Sequence, residues 1–241
     1  MKLIAIGDIH GREVWNEIVK HEQDFDHIVF IGDYFDSKEN IPASLQIDNF
    51  KDICNLKRNN PDKVTLLFGN HDWHYLRSSQ ETYSGFQQWH KTDISEAIHQ
   101  AISEDLLQMA YVHDSYLFTH AGVTKTWLLN NDYESGPIDE FINSLFRYQP
   151  NRFRFTAGEN MSEIGDDITQ SPIWVRERSL LQDGVEGYIQ VVGHTHKYNI
   201  TYLDEKVIII DALFPSKEYL VIEDGVPRVE RAQQSSSLSL E

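Results

Sequence analysis

The chain has 241 residues, 40% of them hydrophobic and 12% aromatic, which is enough for one large core or two small ones and excludes general disorder. Its 38 acidic against 21 basic residues give a formal charge of −17, which excludes long contact with an extended nucleic acid; a small phosphorylated substrate stays open, because carboxylates around divalent cations end beneath a net positive centre. One cysteine, no leader-like apolar run and no stretch near the ~20 apolar residues of a membrane span point to a cytoplasmic protein without a membrane partner.

The first third repeats one pattern. The runs Leu3-Ile4-Ala5-Ile6, Ile28-Val29-Phe30-Ile31 and Val64-Thr65-Leu66-Leu67-Phe68 each end at a glycine, and continuous apolar runs predict strands buried on both faces. Between them, Val14, Trp15, Ile18 and Val19 mark one amphipathic helix, and Ala43, Ile47, Phe50 and Cys54 a second, with Cys54 packed inward. Strand and helix alternating in this way predict a parallel sheet covered by helices. Residues 93–108 then read as helical, 116–119 as a strand, and 127–129 and 138–146 as helices. Residues 148–171 show no period and read as a surface excursion near the site. In the last third, apolar runs at 189–192, 200–203, 207–210, 219–222 and 226–229 are separated by Asp-Glu, Pro-Ser and Asp-Gly turn signals. They predict antiparallel strands in a second sheet packed on the first. Residues 1–232 are expected to form one domain and the Ser-rich run 233–241 a disordered tail.

The buried strands end in potential metal ligands. Asp8 and His10 follow the first, Asp33 and Asp36 the second, Asn70 and His71 the third; His120 follows 116–119, and His194 and His196 follow 189–192. Oxygen and imidazole nitrogen suit a hard or borderline cation, and the C-terminal edge of a sheet gives the rigid frame from which they converge. In Asp8-Ile9-His10 and His194-Thr195-His196 the two donors fall on one side while the middle residue points away. Any one of these motifs alone is more often a turn. As an ordered set at strand ends they point to a metal site.

The blocks Gly7-Asp8-Ile9-His10-Gly11, Gly32-Asp33-Tyr34-Phe35-Asp36, Gly69-Asn70-His71-Asp72, His120-Ala121-Gly122 and Gly193-His194-Thr195-His196 resemble, in order, those of the calcineurin-like metallophosphoesterases, over residues 1 to about 212. The resemblance implies an α/β fold, a four-layer αββα sandwich of two mixed β-sheets flanked by helices. It implies two divalent metal ions, one held by Asp8, His10 and His196, the other by Asn70, His120 and His194, with Asp33 bridging. Mn, Fe and Zn all fit these ligand types. The first two blocks look most like the Ser/Thr protein phosphatase and diadenosine tetraphosphatase branch, which has Arg where this chain has Ser37. Trp174-Val175-Arg176-Glu177-Arg178 resembles a stretch in bacterial and phage members of that branch, so Arg176 and Arg178 are the candidates for binding the substrate phosphate through their planar forks. Tyr34, Trp73, His74 and Tyr75 either line the cleft or pack in the core. His21, His27, His90, His99 and His113 read as structural.

The chemistry implied is direct hydrolysis by a metal-bridging hydroxide, with His71 as general acid and Asp36 orienting its imidazole. Three readings follow: a phosphomonoesterase of the Ser/Thr protein phosphatase type; a dinucleoside polyphosphate hydrolase or phosphodiesterase on the same site; and a non-catalytic interaction module, which the complete ligand set opposes. Asp36 and residues 174–178 favour the first. The intact His194/His196 pair favours the second, since protein phosphatases often keep only the first of these histidines. The partner is accordingly a phosphorylated small molecule, a nucleotide or a phosphoprotein.

Overall fold

Alternate side chains of the first three strands go to two different cores. Strands β1 (Lys2–Ile6), β2 (His27–Phe30) and β3 (Val64–Leu67) pair in parallel, with Ile4 opposite Ile28 and Val29 opposite Thr65. The period of two sends Ile4, Ile6, Ile28, Phe30, Val64 and Leu66 into a core with Trp15, Ile18, Phe50 and Ile53. It sends Leu3, Ala5, Val29, Ile31 and Leu67 the other way, into a core shared with Phe118, Val191, Ile208 and Ile210. Fully burying an aliphatic side chain contributes roughly 1.5–3 kcal/mol, so both faces of this sheet are driven under cover. The computed structural model describes residues 1–77, 79, 81–156, 158 and 164–233. The tail expectation therefore falls, beyond Gln233, outside the described residues.

Helices α1 (Val14–His21) and α2 (Ala43–Asn59), the single turn α3 (Asn70–Trp73) directly after β3, and α4 (Lys91–Ser103) follow in order. Three short strands and helices α5 (Lys125–Leu129), α6 (Ile138–Tyr148) and α7 (Glu177–Asp183) lead to the C-terminal strands. The remaining strands are β4 (Leu107–Gln108), β5 (Ala110–His113), β6 (Tyr116–Thr119), β7 (Ile189–Val192), β8 (Thr201–Leu203), β9 (Val207–Ile209), β10 (Glu218–Glu223) and β11 (Val226–Arg231). One sheet runs β11-β10-β1-β2-β3-β4 and the other β5-β6-β7-β9-β8, both mixed. The outer face of the second sheet is covered from α7, where Leu180 packs with Val192, Val207 and Ile209. The order helix, sheet, sheet, helix is the one expected. Among the described residues no helix is long and apolar enough to cross a membrane.

Three expectations are corrected. The helix read over 93–108 stops at Ser103, because Asp105 is left-handed (φ 55°) and the N–H groups of Asp105 and Leu106 turn back to the carbonyls of Ile102 and Ala101. Leu107 and Gln108 then join β3 as a strand. The C-terminal strands are not all antiparallel, nor all in the second sheet. β7 lies parallel between β6 and β9, and β10 pairs with β1 in the first sheet. β10 is apolar on both faces, Tyr219 and Val221 toward the helices and Leu220 and Ile222 toward the second sheet, so it fits a position covered on both sides. Finally, 148–171 is not merely a surface excursion: Phe153 is fully buried against Trp73, Trp127 and Phe146.

Candidate metal centre

The loops leaving β1, β2, β3, β6 and β7 carry the predicted ligands, and their backbone is held in costly shapes. His10, Asp33, Asp36 and His194 have φ of 45°, 52°, 62° and 62°. A left-handed backbone costs a non-glycine residue roughly 1–2 kcal/mol, and such conformations gather where a site over-determines them. Here the His10 and Gly11 N–H groups donate to the carbonyls of Asp33 and Tyr34 at 2.7 and 2.9 Å. Asp72, fully buried, accepts from the N–H groups of Asp33 and Gly69 on one oxygen and of Tyr34 on the other, at 2.8–2.9 Å. Gly69 is required by proximity: a Cβ there would stand 2.1 Å from Asp33 Oδ1.

Asp8, Asp33, Asn70 and His120 are buried together. Donor atoms of Asp8, Asp33 and His120 lie within 4.8 Å of one another. His120 Nε2 is 3.4 Å from Asp33 Oδ1, and His10 Nε2 is 3.8 Å from Asp33 Oδ2. The Asn70 side-chain oxygen is 2.9 Å from both His120 Nε2 and His194 Nδ1. His120 Nδ1 faces the Ile31 carbonyl and His10 Nδ1 the Phe35 carbonyl, at 3.0 and 2.6 Å. Donating there puts the ring proton on Nδ1 and turns the Nε2 lone pair toward the oxygens. Burial pushes His10 down to about 4 and lowers His120 and His194, so these rings are neutral and offer lone pairs.

Acceptors thus face acceptors, an arrangement that a divalent cation reconciles. The His194 Nε2 is buried without a hydrogen-bond partner among the described residues. Burial, with Asp211 and Asp33 close by, raises the Asp8 carboxyl. Asp33 is instead held well below the usual range: burial opposes its charge, but the imidazoles around it and the His71 backbone N–H that it accepts outweigh that burial. Mixed oxygen and imidazole donors in this state fit divalent metal ions. His196 stands apart: its side chain is 57% exposed, with Nδ1 3.8 Å from Asp211 Oδ1, and it makes no hydrogen bond or ion pair with Asp8.

Beside this cluster, His71 donates its backbone N–H to Asp33 Oδ1, and its Nδ1 meets Asp36 Oδ2, both at 2.9 Å. Burial opposes a charge on His71, but Asp33 and the hydrogen bond to Asp36 outweigh it and raise the group. Arg176 is anchored through Nε to the Ile164 carbonyl and through a terminal nitrogen to Thr195 Oγ1 at 3.2 Å. Its charge acts on both His120 and His194. Arg178 is exposed on α7 and makes no hydrogen bond or ion pair with the described residues. Ser37 offers its backbone N–H to Gln46. Tyr34, Trp73, His74 and Tyr75 are all buried rather than lining a cleft. Cys54 is buried too, its thiol pushed up to about 12, so it is no nucleophile. Near the metal donors, Asp72 belongs to the block Gly69-Asn70-His71-Asp72, which does not announce its role, and Asp211 escapes the sequence reading; it ends the apolar run 207–210 as the others end theirs, and that signal could have found it.

A family model described as calcineurin-like phosphoesterase matches residues 1–198. No curated protein sequence matches the chain significantly. Among solved structures, it is similar to a cold-active protein-tyrosine phosphatase of a psychrophilic Shewanella species, at 20% identity and TM-score 0.62 over 96% of this chain and 80% of that one. It is similar to a protein serine/threonine phosphatase from Saccharomyces cerevisiae at 15% identity and TM-score 0.57, covering 98% and 82%. A metallophosphoesterase from Sphaerobacter thermophilus gives 14% and 0.52, covering 97% and 89%. These likenesses establish the shared fold.

Proposed function

The chain belongs to the calcineurin-like phosphoesterase family, a family of metal-dependent phosphoester hydrolases, and within that activity we propose that it is a phosphomonoesterase resembling the Ser/Thr protein phosphatases. Asp8, His10, Asp33, Asn70, His120, His194 and His196 would hold two divalent ions, Mn, Fe or Zn. When bound, such ions lower the pKa of a water and neutralise charge gathering on the phosphoryl oxygens. Arg176 would bind a phosphoryl oxygen, its guanidinium already fixed by Ile164 and Thr195. His71 would give the proton on Nε2 to the departing alkoxide, while Asp36 holds Nδ1.

The observation that carries the reading is the Asp36–His71 pair beside Asp33: a serine or threonine ester leaves as a poor alkoxide and needs the proton such a pair supplies. Protein phosphatases among the similar structures support the same class. One feature favours dinucleoside polyphosphates or phosphodiesters instead, the complete pair His194 and His196. Mn²⁺-reconstituted protein assayed on a phosphoserine peptide, nitrophenyl mono- and diesters and diadenosine tetraphosphate separates the two. The monoesters should turn over fastest; faster hydrolysis of the diester or the dinucleotide would assign the second class.

A further inference from the structure

Asp36 has more neighbours than the orientation of one imidazole requires. Its Oδ2 meets His71 Nδ1 at 2.9 Å and His74 Nε2 at 2.6 Å, and its Oδ1 accepts from the Tyr75 hydroxyl and, at 3.2 Å, from Gln87 Nε2. His74 is fully buried, and its Nδ1 accepts the Tyr83 backbone N–H at 3.2 Å. With Nδ1 so occupied the ring proton sits on Nε2; an unprotonated Nε2 would set lone pair against lone pair. The Nε2–H thus lies against Asp36 Oδ2 as a short polar contact that falls short of a well-formed hydrogen bond. Residues 83–87 form a strap over this carboxylate. Gly85 (φ 90°) passes so close that a Cβ would stand 3.0 Å from Asp36 Cβ, and the Gln87 N–H donates to the Tyr75 hydroxyl at 2.8 Å.

We infer that His74 and Gln87 are positioning residues, which fix the Asp36 carboxylate from both of its oxygens and so fix the tautomer and aim of His71. The inference rests on His71 being the general acid. A carboxylate free to rotate would leave the His71 ring without a fixed tautomer or aim, so that Nε2–H seldom faces the leaving group; one clamped by donors on both oxygens holds a single geometry. The four neighbours come from two different parts of the chain, the turn after β3 and the strap, so the clamp forms only when both are folded.

The test uses full-length, Mn²⁺-reconstituted His74→Leu, His74→Gln and Gln87→Leu, each alone and each with His71→Asn. With a phosphoserine peptide, His74→Leu and Gln87→Leu should lower kcat roughly 10–100-fold with KM little changed. Nitrophenyl phosphate, whose leaving group needs little protonation, should lose far less. His74→Gln, which keeps a donor and an acceptor, should recover part of the loss. On the His71→Asn background neither Leu variant should cost more. Equal losses on both esters, or full additivity with His71→Asn, would overturn the inference. If His74→Leu loses metal or folded protein, the partly exposed Gln87 decides. If His71→Asn itself slows both esters equally, the general-acid reading fails and takes this inference with it; if it is selective and the Leu variants are not, this inference fails alone.

Discussion

Asp8 and His194 are joined directly across the molecule: both carboxylate oxygens of Asp8 accept the backbone N–H of His194, at 3.0 and 3.2 Å. The bond ties the loop after β1 in the first sheet to the loop after β7 in the second. Donors from two sheets are thereby set against each other by the protein itself, as a site of fixed geometry requires.

That junction depends on Gly193, where a Cβ would stand 1.9 Å from Asp8 Oδ1. Gly193→Ala should displace the carboxylate and weaken Mn²⁺ affinity roughly 10–100-fold, with the fold retained. Calorimetric titration with Mn²⁺ reads this directly. Unchanged affinity would mean that Asp8 has room to move without consequence.

Arg176→Ala should raise KM for the best substrate while changing kcat little, because binding shared by ground and transition states is lost. Arg176→Lys should recover only part, since the fork that meets Thr195 and Ile164 together is absent from an ammonium. Arg178→Ala should cost less than Arg176→Ala, its side chain being exposed on α7. Steady-state kinetics of the three variants decides, and an unaltered KM in Arg176→Ala would remove Arg176 from phosphate binding.

His27 opens β2, at the end of the strand away from the ligand loops. Its Nε2 meets Thr65 Oγ1 at 2.9 Å, and its ring stacks on Tyr111 at 4.7 Å. Burial pushes its pKa down to about 4, against ~6.5 in an unfolded chain. The unfolded state therefore takes up this proton first. Stability from this group is full above pH ~6.5 and is lost as pH falls from there toward about 4. In His27→Phe, which keeps the ring but does not titrate, urea unfolding should show a shallower loss between pH 6.5 and 4.5. An unchanged slope would place the acid sensitivity elsewhere.

The ligand blocks were legible because each is local: an apolar run, a glycine, then donors within a few residues. What the sequence hid depends on distant partners. Asp72 serves Asp33 and Tyr34 across 38 or more residues, and Gln87 reaches Asp36 across 51. No pattern near either residue announces those contacts. The short strand Leu107–Gln108 was lost inside an apolar helical pattern, since a left-handed Asp105 is invisible to periodicity. The β10–β11 hairpin reads clearly as two strands, but which sheet it joins is settled by β1 lacking a partner on that edge.

The measurement bearing most directly on the site is metal content after Mn²⁺ reconstitution and exhaustive desalting, taken on the natural protein, Asn70→Ala and Asp33→Ala. About two ions per chain are expected in the natural protein, fewer in Asn70→Ala, and fewest in Asp33→Ala, with hydrolysis of phosphate esters lost in step. Full activity with less than about one ion per chain, or an unchanged metal content in Asp33→Ala, would contradict a dinuclear centre built from these residues.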